Sequence, residues 1–193
     1  MSLLRAFIAV DLPPHIQHAI QDKTARLRQS LDSSLVRWVP VHNLHLTLKF
    51  LGDTSPVNIQ FLQQLLTHET DLHPAFDIRI GNIGSFPNSR RPRVIWVGLS
   101  APAVLESLQH EIESATARLG YAPEERSFSP HLTIGRVHQN LSAANLQRIR
   151  TTLEAETVGE IGIARIDSVH LYKSDLQLGG SIYTRIFSAL LKK

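Results

Sequence analysis

The pattern His-Leu-Thr-aliphatic occurs twice in this chain of 193 residues. The copies lie in Leu44-His45-Leu46-Thr47-Leu48 and Pro130-His131-Leu132-Thr133-Ile134, and their histidines stand 86 positions apart, almost half the chain. Nothing of low complexity surrounds them, so the recurrence points to two related halves. Both copies fall in short apolar runs that read as strands. Successive side chains of a strand face opposite ways. His45 and Thr47 therefore share one face, and Leu46 and Leu48 the other; His131 and Thr133 oppose Leu132 and Ile134 in the same way. Each strand offers an imidazole beside a hydroxyl, backed by apolar residues that seat in a core. Halves packed about a pseudo-twofold axis would bring two imidazoles and two hydroxyls together across one groove, with no carboxylate required.

The flanking sequence supplies the elements. Arg5 to Asp11 reads as a buried strand stopped by Pro13-Pro14, and a helix follows with Ile16, Ile20, Leu27 and Leu31 on one stripe. Val36 to Val39 and Leu44 to Leu51 read as strands. Ser55-Pro56 begins a helix with Ile59, Leu62, Leu65 and Leu66 on its apolar face. Phe76, Ile78 and Ile80 alternate with polar residues and glycine, as in a half-buried strand, and Val94 to Leu99 forms another. Ser100 to Leu119 is an amphipathic helix closed by Gly120. His131 to Val137 is a strand, and Ser142 to about Leu153 a helix. Two late strands, about Ile161 to Leu171 and Ile182 to Phe187, flank a Gly179-Gly180 turn. Four helices and about eight strands, several adjacent in sequence, predict an α+β fold with antiparallel or mixed sheets and helices outside.

Composition narrows the chemistry. The absence of cysteine excludes disulfides, thiolate metal sites and a cysteine nucleophile, and is consistent with a cytosolic, cytoplasmic protein. No apolar run approaches the roughly 20 residues that span a bilayer. The N-terminus carries only Arg5 before a short apolar run and lacks a small-residue cleavage site, so no signal peptide is expected. A net charge of +3 suits a small anionic ligand or an RNA end better than a long duplex.

Two histidines in opposite protonation states can serve as general base and general acid on either side of a phosphorus atom. Threonine hydroxyls can donate to its non-bridging oxygens. Metal-free cleavage of a phosphodiester needs those parts. Imidazole titrates near 6.5, so a mixed state near neutral pH needs no large shift. His42 and His45 have a spacing used by some metal ligands, but alternation turns them apart and no further ligands lie near; no metal and no cofactor are expected.

The paired motifs, with FIAVDLP, NLHLTLKFLGD, RVIWVGL, SPHLTIGRV and the late strands around Tyr183, resemble the two-histidine (2H) phosphoesterase superfamily. The chain is most similar to its RNA 2′,3′-cyclic phosphodiesterases, also called 2′-5′ RNA ligases. The resemblance covers nearly the whole chain. It implies one bilobal domain over residues 1–193, with two sheets related by a pseudo-twofold and an active-site groove between the lobes. It implies metal-free hydrolysis of an RNA 2′,3′-cyclic phosphate to a 2′-phosphomonoester, with weak 2′-5′ ligation as the reverse reaction. By the same resemblance His45 donates a proton to the leaving 3′ oxygen, His131 activates water, and Thr47 and Thr133 hold the phosphate. The partners expected are RNA ends, and a second enzymatic reading acts on small cyclic nucleotides such as ADP-ribose cyclic phosphate; no membrane and no obligate protein partner are expected. A nucleotide- or RNA-binding module without turnover is the non-enzymatic alternative.

Arg136 resembles a family arginine near the phosphate or base. Strict alternation turns it away from His131, and a bulge at Gly135 would re-aim it. Alternation places Lys49 on the face of His45 and Thr47, where it would add positive potential. Arg90, Arg91 and Arg93 form a basic loop that either holds an RNA backbone or is simply solvated. Trp38, Phe50, Trp96 and Phe128 are candidates for stacking a base. His15, His18, His68, His73, His110, His138 and His170 show no partner pattern and read as surface or structural.

Overall fold

A computed structural model describes residues 3–177 and 180–193. Leu178 and Gly179 lie outside the described residues, and with them the first glycine of the Gly179-Gly180 turn. Strand β1 (Leu4–Asp11) leads into helix α1 (Pro14–Lys23) and the short α2 (Ala25–Ser30). Strand β2 (Val36–Trp38) and a 3-10 turn (Val41–Asn43) precede β3 (His45–Thr54). Helix α3 (Pro56–Leu72), strands β4 (Phe76–Phe86) and β5 (Val94–Ser100), and helix α4 (Ala103–Arg118) follow. Strand β6 (His131–Val137), helix α5 (Ala143–Ala155) and strands β7 (Glu160–Ile166), β8 (Ser168–Gln177) and β9 (Gly180–Leu190) complete the chain.

The strands form two sheets, ordered β3-β1-β8-β9 and β2-β6-β5-β4-β7, with antiparallel neighbours throughout. The expected α+β architecture of two antiparallel sheets with outer helices is present. In each sheet a motif-bearing strand pairs with the strand from which it is separated by a helical connection: β3 with β1, and β6 with β5. The motif strands β3 and β6 pack against each other, and so join the sheets.

Helix starts follow the sequence. The Ser55 and Ser142 hydroxyls accept from Asn58 N at 3.1 Å and Asn145 N at 3.2 Å, satisfying a free amide in each first turn. The single helix expected over Ile16 to Leu31 is divided at Thr24. Its hydroxyl donates to the Ile20 carbonyl at 2.8 Å, and its backbone leaves helical geometry at φ −100°, ψ 7°. The late strand expected over Ile161 to Leu171 is likewise two strands. It breaks at Asp167, so that β7 edges one sheet while β8 lies inside the other.

The helices exchange sides. Helix α4 follows β5 but packs on β3 of the other sheet, beside α3, which covers β8 and β9; α1 follows β1 but packs on β7. One apolar core therefore draws on both halves, including Ile8, Val10, Leu46 and Leu171 from one sheet and Ile78, Ile95, Leu132 and Ile134 from the other. Each such side chain contributes about 1.5–3 kcal/mol on burial.

Candidate active site

Period two on β1 sends Ile8 and Val10 into the core and leaves Phe7, Ala9 and Asp11 on the opposite face. Thr47 is the register partner of Ala9, and His45 of Asp11. The His45 ring stacks on Phe7 with centroids 4.9 Å apart and meets Tyr183 edge-on at 5.3 Å. Phe7 also lies against Tyr172 with centroids 5.2 Å apart, and the His45 and Tyr172 rings are themselves 6.5 Å apart. The Tyr172 hydroxyl is 2.7 Å from both Asp11 carboxylate oxygens and donates to them, and Arg185 and His170 stand 3.4 and 3.6 Å from Oδ2. Burial and the Asp11 carboxylate push the Tyr172 phenol well above its ordinary value. His170 is buried, hydrogen-bonds Ser188 Oγ at 2.9 Å, and supports this cluster.

The other sheet repeats the arrangement. Thr133 is the register partner of Trp96, and His131 of Gly98. The His131 ring meets Phe86 edge-on at 4.9 Å, and Phe86 packs on Trp96 at 5.3 Å. The Trp96 indole lies across Gly84, where a Cβ would run into the ring, so glycine is required beneath it.

Both imidazoles are fixed in one way. Nδ1 of His45 lies 2.8 Å from the carbonyl of Asn43, and Nδ1 of His131 lies 2.7 Å from that of Ser129, in each case two residues upstream. A carbonyl can only accept, so Nδ1 carries hydrogen and Nε2 is the nitrogen free to exchange a proton. The environments differ in detail. Burial lowers the His45 pKa below the ordinary imidazole value and Arg136 pushes the same way, against the Asn43 carbonyl and the Asp11 charge, which raise it.

A shared irregularity governs the next residues. In β3 the register skips Leu48 between Thr47 and Lys49; in β6 it skips Ile134 between Thr133 and Gly135. Each extra residue flips the alternation. Arg136 thereby regains the face of His131 and Thr133, as a bulge would require, and its charge is felt at His45 on the neighbouring strand β3. The same bulge overturns the expected position of Lys49. Lys49 is buried on the core side, ion-paired with Glu113 and donating to the Ala122 carbonyl at 2.7 Å. Phe50 takes the position equivalent to Arg136 and is 61% exposed.

Of the other aromatic candidates, Trp38 donates to the Leu31 carbonyl at 2.9 Å beneath Arg28, and Phe128 packs against the core. His42 lies in the exposed 3-10 turn. Among the described residues no group of three His, Asp or Glu side chains is placed to hold a metal, and no helix is long and apolar enough to cross a membrane. Asp11, Tyr172, Phe7, Phe86 and Tyr183 were not singled out from sequence as neighbours of the histidines. The alternation Phe7-Ala9-Asp11 was the available signal, hidden because Ala6 to Val10 form an unbroken apolar run.

The family model of the 2′-5′ RNA ligase superfamily matches residues 12–177. An RNA 2′,3′-cyclic phosphodiesterase of Methanothermobacter thermautotrophicus is 33% identical over 94% of this chain and 95% of its own length. One from Methanocaldococcus jannaschii is 33% identical over 93% and 96%. Among solved structures, Escherichia coli LigT complexed with 3′-AMP superposes with a TM-score of 0.78 at 26% identity, covering 99% of both chains. A Thermus thermophilus protein, TT0787, superposes with a TM-score of 0.80 at 25% identity over 97% of each.

Proposed function

This chain belongs to the 2′-5′ RNA ligase superfamily, and from that premise we propose that it hydrolyses RNA 2′,3′-cyclic phosphate ends to 2′-phosphomonoesters. The observation that carries the reading is the duplicated imidazole arrangement. Each ring is tethered through Nδ1 to the carbonyl two residues upstream, which leaves Nε2 to transfer a proton. In the proposed reaction His131 takes a proton from water as the oxygen attacks phosphorus. The bond from phosphorus to O3′ breaks, and His45 gives its proton to that oxygen. Solvent then removes the proton from His131 and restores the one on His45. Thr47 and Thr133 donate to the non-bridging oxygens, Arg136 adds positive charge, and Phe50 offers a face for the terminal base.

Burial keeps His45 more readily neutral in the free protein. A bound phosphodiester anion acts in the opposite sense and favours the imidazolium. Substrate binding therefore protonates the acid. With a 5′-hydroxyl in place of water as the attacking group, the same groups form the bond from phosphorus to O5′, break the bond to O3′ and leave a 2′-5′ linkage, so ligation parallels hydrolysis and does not reverse it. The test is to incubate the protein in EDTA with an oligoribonucleotide ending in 2′,3′-cyclic phosphate and identify the product. A 2′-phosphate is expected. A 3′-phosphate would overturn the assigned roles, and restoration of lost activity by one added metal would overturn the two-histidine mechanism.

A further inference from the structure

Arg37 and Arg136 are register partners on neighbouring strands β2 and β6. Val36 is buried in the core and Trp38 packs on it, so the exposed Arg37 projects with Arg136 from the opposite face, the face of His131 and Thr133. Val94 of β5 and Phe86 of β4 continue this row across the sheet. The hairpin loop that begins after Phe86 carries exposed Arg90 and Arg91, whose amides both donate to Asn88 Oδ1 at 3.1 Å.

These four guanidinium groups make no ion pair among the described residues. Arg79, Arg148, Arg150, Arg165 and Arg185, by contrast, each pair with a carboxylate. Residues 33–52, 78–105 and 126–153 contain no aspartate or glutamate, and they include all of β2, β5 and β6. A row of uncompensated arginines that starts beside the motif strand is a footprint for a chain of phosphates.

We propose that Arg37, Arg90 and Arg91 extend from Arg136 as a cationic path that holds the backbone of single-stranded RNA leading to the reacting end, so that the enzyme prefers polynucleotide ends to cyclic mononucleotides. The proposal rests on the reading of the groove as a cyclic phosphodiesterase site. A cyclic phosphate occupies the 2′ and 3′ oxygens of the last ribose, so the rest of an RNA departs through the 5′ phosphate. The path supplies charge for the phosphates on that side.

The experiment compares wild-type protein with an Arg37→Gln/Arg90→Gln/Arg91→Gln variant and with Arg93→Gln. Arg93 adjoins Val94, and alternation turns it to the other face. Turnover is measured on an oligoribonucleotide with a 2′,3′-cyclic end and on 2′,3′-cyclic AMP. The triple variant is expected to lose about tenfold or more in kcat/KM on the oligoribonucleotide and less than about twofold on the mononucleotide. Its dependence of log kcat/KM on log salt should be shallower by about 2, from roughly 0.7 per single-strand phosphate contact. Arg93→Gln should behave as wild type. Equal losses on both substrates, or an equal loss in Arg93→Gln, would overturn the path.

Anisotropy of a labelled oligoribonucleotide with a 2′-phosphate end reads binding without turnover. Weaker binding by the triple variant is expected, and unchanged affinity overturns the path whatever the turnover shows. A wild-type protein that binds the RNA through these arginines but turns over neither substrate would sink the phosphodiesterase reading instead.

Discussion

His45 and His131 share one tether and differ in surroundings, and that difference can be measured. His45 is packed by Phe7 and Tyr183 and has its pKa lowered, chiefly by burial. In NMR titrations of the free protein its ring should titrate below 6.5, and binding of a 2′-phosphate mononucleotide should raise that value. Asp11→Asn removes a charge that favours the imidazolium and should move it lower still. A His45 value unmoved by the nucleotide would contradict the coupling of protonation to binding. Both hydroxyls serve one hydrogen bond each in the proposed reaction. Thr47→Ala and Thr133→Ala should therefore each cost less in kcat than loss of either imidazole, as steady-state kinetics would show.

Strand irregularities decide which face of its sheet each side chain takes. Alternation alone was enough to read His45, Thr47, His131 and Thr133, and the bounds of β6 agree with the sequence reading. It failed two residues after Thr47, at Lys49, because a bulge follows each threonine and only the Gly135 copy carries a glycine to signal it. The division of the segment after Ile161 between two sheets was equally hidden, since Asp167 is the only local mark of the break. Gly135 is required by its neighbours: a Cβ there would stand 2.7 Å from Val36 Cγ1 and 2.9 Å from the Trp38 ring. Gly135→Ala should cost about 1–3 kcal/mol in urea unfolding and displace Arg136, lowering kcat/KM as well. Lys49→Met leaves the Glu113 carboxylate without its buried partner. It should destabilise the fold by about 3 kcal/mol in the same assay. A Lys49→Met protein as stable as wild type would show that this ion pair does not hold β3 to α4.

In the molecule as a whole, the exchange of α1 and α4 between the sheets ties the two halves through one core. Unfolding followed by tryptophan fluorescence and by far-ultraviolet circular dichroism should give coincident transitions; separate midpoints would mean that the halves fold independently. The pH dependence of that stability follows from His45 and His170, both lowered chiefly by burial. In the unfolded chain each binds its proton near 6.5, above its folded value. Their contribution is complete above that pH and is lost as pH falls through the interval toward the folded values. The urea midpoint should accordingly fall between pH 7 and pH 5, and fall less in His170→Gln. The separation of the two histidines in sequence and their placement on strands β3 and β6, which pack against each other, is the feature on which the functional reading depends. It is tested most directly by single-turnover rates of wild type, His45→Ala, His131→Ala and the double variant on an oligoribonucleotide with a 2′,3′-cyclic phosphate end, in EDTA. Each single variant should lose roughly two to four orders of magnitude with a native circular dichroism spectrum, and the double should lose less than the product of the two. Near wild-type turnover by either single variant would contradict the account.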